Sequence, residues 1–334
     1  MGKADRLVLA LHLPKTQLLT KLGRFDFVIA VVFPGQGSQR PGMGAELATI
    51  SPEALDVFAR ASDAVGIDIL RVCKESDEDA LRQTQNAQLA LFTAGVAVFS
   101  ALPAALREQV GAAAGHSIGE YAAAVAVGAL ALEDGARLVR IRGELMAEAG
   151  KTAPGAMAAV LGLDRALLEE ACLEAGGVVV IANDNSPGQL VISGEADAVA
   201  RAGEIAKAKG AKRAIPLNVS GAFHSPLMRD AAAQMGVALS AVQFTAPLFA
   251  LYMNVTAEPL RHPSDLPGLL ERQLSSPVRW TETIRNMTRD GVGAFIECGV
   301  GEVLSGLIRR IGPSARTMSV QDAATLEAAV AALT

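Results

Sequence analysis

The chain has 334 residues, of which 51% are hydrophobic and 19% charged, so it is not an intrinsically disordered protein. Its length predicts about two structural units, large enough to bury roughly three-quarters of the unfolded surface without a disulfide or metal staple. A net charge of −5 gives no support to a nucleic-acid binder, and 32 glycines without a G-X-Y period exclude collagen.

Aromatic residues make up only 4% of the chain, so the core must come from Ala, Val, Leu and Ile. The three cysteines, Cys73, Cys172 and Cys298, are far apart and form no C-x-x-C pair. A disulfide framework or zinc ribbon is not expected, and a reducing cytoplasm is. The longest apolar run, about Leu89–Leu102, is too short to span a bilayer. Lys3 and Arg6 ahead of Leu7–Leu13 resemble a weak signal peptide, but Asp5, His12 and Pro14 interrupt it and no small-x-small site follows. Residues 1–25 therefore read as a leader, extended or disordered.

In chain order, Phe27–Phe33 is a near-continuous apolar run, expected to be a strand buried on both faces of a parallel sheet. Helices are expected over Glu53–Val65, Ala87–Ala105, Glu120 to about Leu130, and Asp134–Ala149 with Gly150 as its stop. Between the second and third of these, Ala112–Ala114 leads into Gly115-His116-Ser117-Ile118-Gly119.

After Gly155 the pattern changes to strand 156–162, helix 165–175, strand 178–182, strand 189–193, helix 196–209 and strand 212–217. This β-α-β-β-α-β order is that of a ferredoxin-like unit, with turn chemistry at Asn185-Ser186-Pro187-Gly188. The expected architecture is α/β, a larger parallel-sheet domain over 26–150 and 219–325 with a small domain inserted at 151–218. Phe249–Val255 and Ala294–Cys298 would complete the larger sheet, and the cleft between the units is the expected ligand site.

Gly115 to Gly119 match G-x-S-x-G. A serine on a tight strand-to-helix turn stands above the sheet, and glycines two before and two after avoid clashes. The following helix directs its N-terminal N–H groups at a developing oxyanion. Such a pentapeptide also arises by chance in a Gly-rich chain, but here an apolar strand precedes it and a helix follows. A serine nucleophile needs a base. Of four histidines, His12 lies in the leader, His262 in a polar loop, and His116 inside the elbow, pointing away from its neighbour. His224 is left as candidate base, with a structural role as its alternative; no Asp stands in an obvious triad position.

Phe33-Pro34-Gly35-Gln36-Gly37 lacks the spacing and lysine of a phosphate loop, and reads as a tight backbone approach to a reacting centre or a strand-terminal turn. Arg142 precedes Gly143 inside a helical pattern, where glycine costs about 1 kcal/mol relative to alanine. Close packing there would explain the glycine. A surface ion pair and a fork for a carboxylate both remain open for Arg142.

Together these segments resemble the malonyl-CoA:acyl carrier protein transacylases of fatty acid synthesis and the related acyltransferase domains of polyketide synthases. The resemblance spans about Phe27 to Val320. It is carried by FPGQGSQRPGMG (33–44), TQNAQLALF (84–92), GHSIGEYAA (115–123), RGELM (142–146), GAMAAVLGL (155–163), NDNSPGQLVISG (183–194), GAKRAIPLNVSGAFHSPLM (210–228) and RQLSSPVRW (272–280). It implies an α/β-hydrolase-like larger domain with a ferredoxin-like insertion. It implies Ser117 as nucleophile, His224 as base, main-chain N–H groups of Gln36 and Ile118 as the oxyanion hole, and Arg142 as the malonyl-carboxylate ligand. The main-chain carbonyl of Gln273 would orient the histidine in place of an acid. Ala222-Phe223-His224 and Ile118 resemble the malonyl rather than the methylmalonyl type. Ile118 stands where leucine is commoner, and the leader has no counterpart.

The implied reaction is a ping-pong transfer through a malonyl-serine ester from malonyl-CoA to the phosphopantetheine thiol of holo acyl carrier protein. No cofactor and no metal are implied, since the CoA thioester is a substrate. Neither nucleic acid nor membrane is expected as a partner, and a monomeric cytoplasmic enzyme is. A serine hydrolase and a non-catalytic carrier-binding module are the rival readings.

Overall fold

The computed structural model describes residues 27–219 and 221–333. The leader over 1–25, with His12, lies outside the described residues, as does Ser220. Among the described residues, nine strands form two separate sheets within an α/β architecture. The larger contains β1 (Val28–Phe33), β2 (Val110–Gly115), β7 (Ala250–Tyr252), β8 (Val292–Cys298) and β9 (Arg316–Val320), in the order β7-β2-β1-β8-β9. All its neighbours are parallel. The smaller contains β3 (Ala156–Leu161), β4 (Val179–Ser186), β5 (Gln189–Gly194) and β6 (Arg213–Pro216), antiparallel, in the order β4-β5-β3-β6.

Strand β1 lies at the centre of its sheet and shows why its run is apolar throughout. Ile29, Val31 and Phe33 enter one core cluster, whereas Val28, Ala30 and Val32 enter the cluster on the opposite face around Trp280. Both faces are covered, so every position excludes water. On the first face lies the helix Thr84–Ala101, buried nearly all round.

The helix expected over Ala87–Ala105 ends at Ala101, because Leu102 is extended ahead of Pro103. The last residues make a short separate turn, Ala104–Arg107. The helix expected to reach Leu130 is Gly119–Ala126, with Gly128 at φ +75° in the turn beyond. The next helix runs Leu132–Thr152, straight through Gly150. Its stop is Ala153, the residue ahead of Pro154, rather than the glycine. The strand expected at Phe249–Val255 pairs only over Ala250–Tyr252. Strand β4 continues past Ala182 to Ser186 through two register shifts.

That continuation ties the smaller sheet to Val278 and Thr281, beside the core cluster on one face of the larger sheet. The Asp184 N–H donates to the Val278 carbonyl, Val278 donates back to Ala182, and the Asp184 carboxylate accepts from the Thr281 hydroxyl at 2.5 Å. The site therefore lies between two units fixed to each other by main-chain bonds.

Candidate active site

The loops after β1, β2 and β7 leave the C-terminal edge of the parallel sheet, where open α/β sheets place their ligands. Ser117 follows β2 at φ +52°, a strained conformation for a residue with a Cβ. The flanking glycines are obligatory. A Cβ on Gly115 would sit 1.9 Å from the Gly119 carbonyl carbon, and one on Gly119 would sit 2.1 Å from the Phe33 oxygen. Asn254, just beyond β7, holds the turn from the side. Its Oδ1 accepts the Ser117 N–H at 2.8 Å, and its Nδ2 donates to the Gly115 carbonyl at 2.6 Å.

The Ser117 Oγ lies 2.7 Å from His224 Nε2. His224 Nδ1 lies 2.8 Å from the Gln273 carbonyl oxygen. A carbonyl can only accept, so Nδ1 carries the proton and Nε2 offers its lone pair to the serine hydroxyl. Burial, and after it the charge of Arg142, push His224 down to about 3, which keeps the imidazole neutral.

Arg142 is fully buried. Its Nη1 donates to Gln88 Oε1 at 2.7 Å, and its Nη2 donates to Gln273 Oε1 at 2.8 Å and to Ser117 Oγ at 3.1 Å. Its Nε has no partner, and among the described residues no carboxylate pairs with it. Burial accordingly lowers its pKa. The guanidinium carbon also lies 5.7 Å from the ring centroid of Tyr121. Gly143 is explained by the same helix. A Cβ there would meet the Gln85 Cα at 2.7 Å, so the helix carrying Gln88 packs directly on the one carrying Arg142.

Gln36, Ile118, Ser117, Arg142 and His224 line one cavity of about 630 Å³, together with Met157, Asn183 and Leu217 from the smaller sheet and its margins. Among the described residues, no acceptor takes the main-chain N–H of Gln36 or of Ile118. Gly35 packs closely against His116 of the elbow. A Cβ there would lie 2.8 Å from the His116 carbonyl oxygen and 2.9 Å from His116 Nδ1. His116 itself is half-buried, with Nε2 at 2.8 Å from Asn185 Oδ1 and its ring against Trp280. Among the described residues, no cluster of three or more His, Cys, Asp or Glu could hold a metal ion. The three cysteines are free and buried. No described helix is long and apolar enough to cross a membrane.

Sequence reasoning brought Ser117, His224, Arg142, Gln36, Ile118 and Gln273 to notice; the fold gathers the first five around the cavity and buries Gln273 against Ser117, His224 and Arg142. It missed three polar residues that hold them. Gln88 lies in a motif quoted above, close to the polar residues Gln85 and Asn86 at the start of its helix, which disguise it. Asn254 is a polar residue inside an apolar run, which is a usable signal. Glu120 follows the elbow and is fully buried, with Oε1 accepting the Asn254 N–H at 2.5 Å and Oε2 accepting from Gln273 Nε2. Burial pushes Glu120 up to about 8 against the pull of those donors and of Arg142. Both oxygens accept N–H groups, an arrangement that suits the ionised carboxylate.

The family model described as acyl transferase domain matches residues 30–326. The chain is 43% identical over 304 residues to the malonyl CoA-acyl carrier protein transacylase of Haemophilus influenzae, covering 90% of this chain and 97% of that one. The crystal structure of a malonyl-CoA:acyl carrier protein transacylase from Xanthomonas oryzae superposes with a TM-score of 0.88 at 43% identity, covering 92% and 99% of the two chains. A malonyl-transacylase solved in complex with a type II polyketide acyl carrier protein gives 0.85 at 42% identity, covering 91% and 99%.

Proposed function

Because the chain belongs to the acyl transferase domain family and is an acyltransferase, we propose that it transfers malonyl from malonyl-CoA to the phosphopantetheine thiol of an acyl carrier protein. The observation that carries the substrate is Arg142, a buried cation without a carboxylate partner among the described residues, 3.1 Å from the Ser117 oxygen.

In this reading Ser117 Oγ attacks the thioester carbonyl while its proton passes to His224 Nε2. The negative charge that develops on the carbonyl oxygen is met by the N–H groups of Gln36 and Ile118. A donor of this kind is worth about 2.7–4 kcal/mol in the transition state. The tetrahedral adduct collapses to a malonyl-serine ester as CoA leaves with the proton from His224. The carrier thiol then enters, loses its proton to His224, and departs with the malonyl group as Ser117 regains its hydrogen.

Arg142 binds the free carboxylate of the malonyl group, a charge-assisted contact of about 1.5–3 kcal/mol. An acetyl donor leaves the cation unpaired in its buried site, which penalises it. The orientation of His224 by the Gln273 carbonyl replaces the acid of a triad. The reaction draws on no cofactor, because the thioester is itself the substrate.

The strand orders support the finer fold reading. A β-α-β-β-α-β run with sheet order β4-β5-β3-β6 is that expected of a ferredoxin-like insertion over 151–218. The elbow on a parallel sheet supports a hydrolase-like larger domain over 26–150 and 219–325. Three buried free thiols are consistent with a cytoplasmic enzyme, which we take to act as a monomer.

Intact-mass measurement after incubation with malonyl-CoA, then with holo acyl carrier protein, tests the proposal. A malonyl adduct on wild type, absent from Ser117→Ala and discharged to the carrier, is the expected result. Decay to free malonate with the carrier present would instead indicate a hydrolase.

A further inference from the structure

Glu120 has no exposed surface and does not line the cavity, yet through Gln273 it is one residue removed from Ser117, Arg142 and His224. Both of its oxygens accept N–H groups where they lie, whereas the Gln273 amide has one accepting and one donating end. Gln273 Nε2 donates to Glu120 Oε2 and, at 2.9 Å, to the Ser117 carbonyl. That leaves Oε1 facing Arg142 Nη2 at 2.8 Å. Reversing the amide would set an oxygen against two acceptors and an amino group against the guanidinium. We propose that Glu120 is a positioning residue, which fixes the sense of the Gln273 side-chain amide and thereby keeps Arg142 aimed for a substrate carboxylate. The inference rests on the acyl-donor reading above.

Glutamine at position 120 has nearly the same shape but brings a donor. With its oxygen accepting the Asn254 N–H, its amino group faces that of Gln273. The main-chain N–H of Asn254 cannot reverse, but the side-chain amide of Gln273 can. The conflict therefore resolves at Gln273, whose amino group turns toward Arg142 and displaces it from its place beside Ser117.

The test is the rate of acyl-serine formation, followed by intact mass, with malonyl-CoA and with acetyl-CoA. It compares wild type, Glu120→Gln, Gln273→Leu and the double variant. Wild type is expected to prefer malonyl-CoA, and Glu120→Gln to lower that preference about ten- to a hundredfold, the range for losing a hydrogen bond to a charged group. In the Gln273→Leu background the same substitution should change the preference by less than about twofold, because the amide it acts through is gone. Equal losses for both donors in Glu120→Gln would mean a merely structural role and overturn the inference, as would effects that multiply in the double variant. If Glu120→Gln does not fold, Gln273→Leu decides: loss of preference supports the inference and retention overturns it. A wild type with no preference for malonyl-CoA overturns the functional reading and this inference with it. A preference that survives in Glu120→Gln overturns the inference alone.

Discussion

Arg142 Nη2 donates to the Oγ of Ser117 at 3.1 Å, although Ser117 stands on the turn after β2, Arg142 on the helix Leu132–Thr152, and the arginine has no exposed surface. The serine oxygen thus accepts from a cation on one side and faces the lone pair of His224 on the other, at 2.7 Å. The cation favours the negative charge that grows on Oγ, and the imidazole takes the proton. The same cation lowers the basicity of His224. A substrate carboxylate that neutralised Arg142 would relieve that depression as it bound.

Arg142→Ala is expected to slow acylation by malonyl-CoA about ten- to a hundredfold and to raise the relative rate with acetyl-CoA, since it removes a charge-assisted pair of about 1.5–3 kcal/mol. Competition between the two thioesters, read by intact mass, checks this. Unchanged selectivity would remove Arg142 from carboxylate recognition.

The pH profile of acylation should lack the acid limb of an ordinary histidine. His224 is pushed down to about 3 from a usual 6.5, so it stays a neutral base well below neutrality. The His224 contribution to acylation should therefore remain level from about pH 8 to pH 5, where an unperturbed imidazole would already be mostly protonated. In Arg142→Ala the like charge is gone, so the acid limb should move to higher pH. Stopped-flow CoA release across the range provides the measurement.

The same shift has a sign for stability. The unfolded chain binds a proton at His224 below about 6.5 while the folded chain does not until about 3, so this group costs stability as pH falls through that window. His224→Gln should flatten that part of the curve of urea midpoint against pH. A slope identical to wild type would contradict the depressed value.

Gly143→Ala would stabilise an unconstrained helix by about 0.8–1 kcal/mol. Here the added carbon would meet the Gln85 main chain at 2.7 Å, and backbone cannot yield as a side-chain tip does. The expected net effect is a loss of about 1–3 kcal/mol, together with weaker malonyl transfer as Gln88 moves off Arg142. Thermal unfolding and acylation rate are measured side by side, and a higher melting temperature would refute the packing argument.

Asn254→Ala leaves the Ser117 N–H and the Gly115 carbonyl without their buried partner. A stability loss of about 1–3 kcal/mol for each group left unsatisfied is expected, with slower acylation by malonyl- and acetyl-CoA alike. A selective loss with malonyl-CoA would show that Asn254 acts on Arg142 rather than on the elbow.

Much of this site was legible in the chain because its logic is local. Gly115 and Gly119 bracket Ser117 at a spacing that only a tight turn requires, and the strand and helix beside it are apolar runs of the right length. Strand β1 reads as doubly buried from seven apolar residues in a row. Helix ends were less legible where two stop signals competed. Gly150 lost to the residue ahead of Pro154 because a glycine is merely unfavourable in a helix, whereas the residue before a proline is sterically pushed out of it.

Residue types and short-range spacing by themselves determined the serine turn, the order of strands and helices, and the supply of an arginine, a histidine and amides in quoted motifs. Only tertiary structure decided what those polar groups do to one another. Gln273 meets Ser117 across 156 residues, Glu120 across 153 and Arg142 across 131. No periodicity encodes such contacts. A hydrogen bond depends on direction as well as on residue type, and which end of an amide faces a cation is settled by the acceptors that the fold brings to its other end.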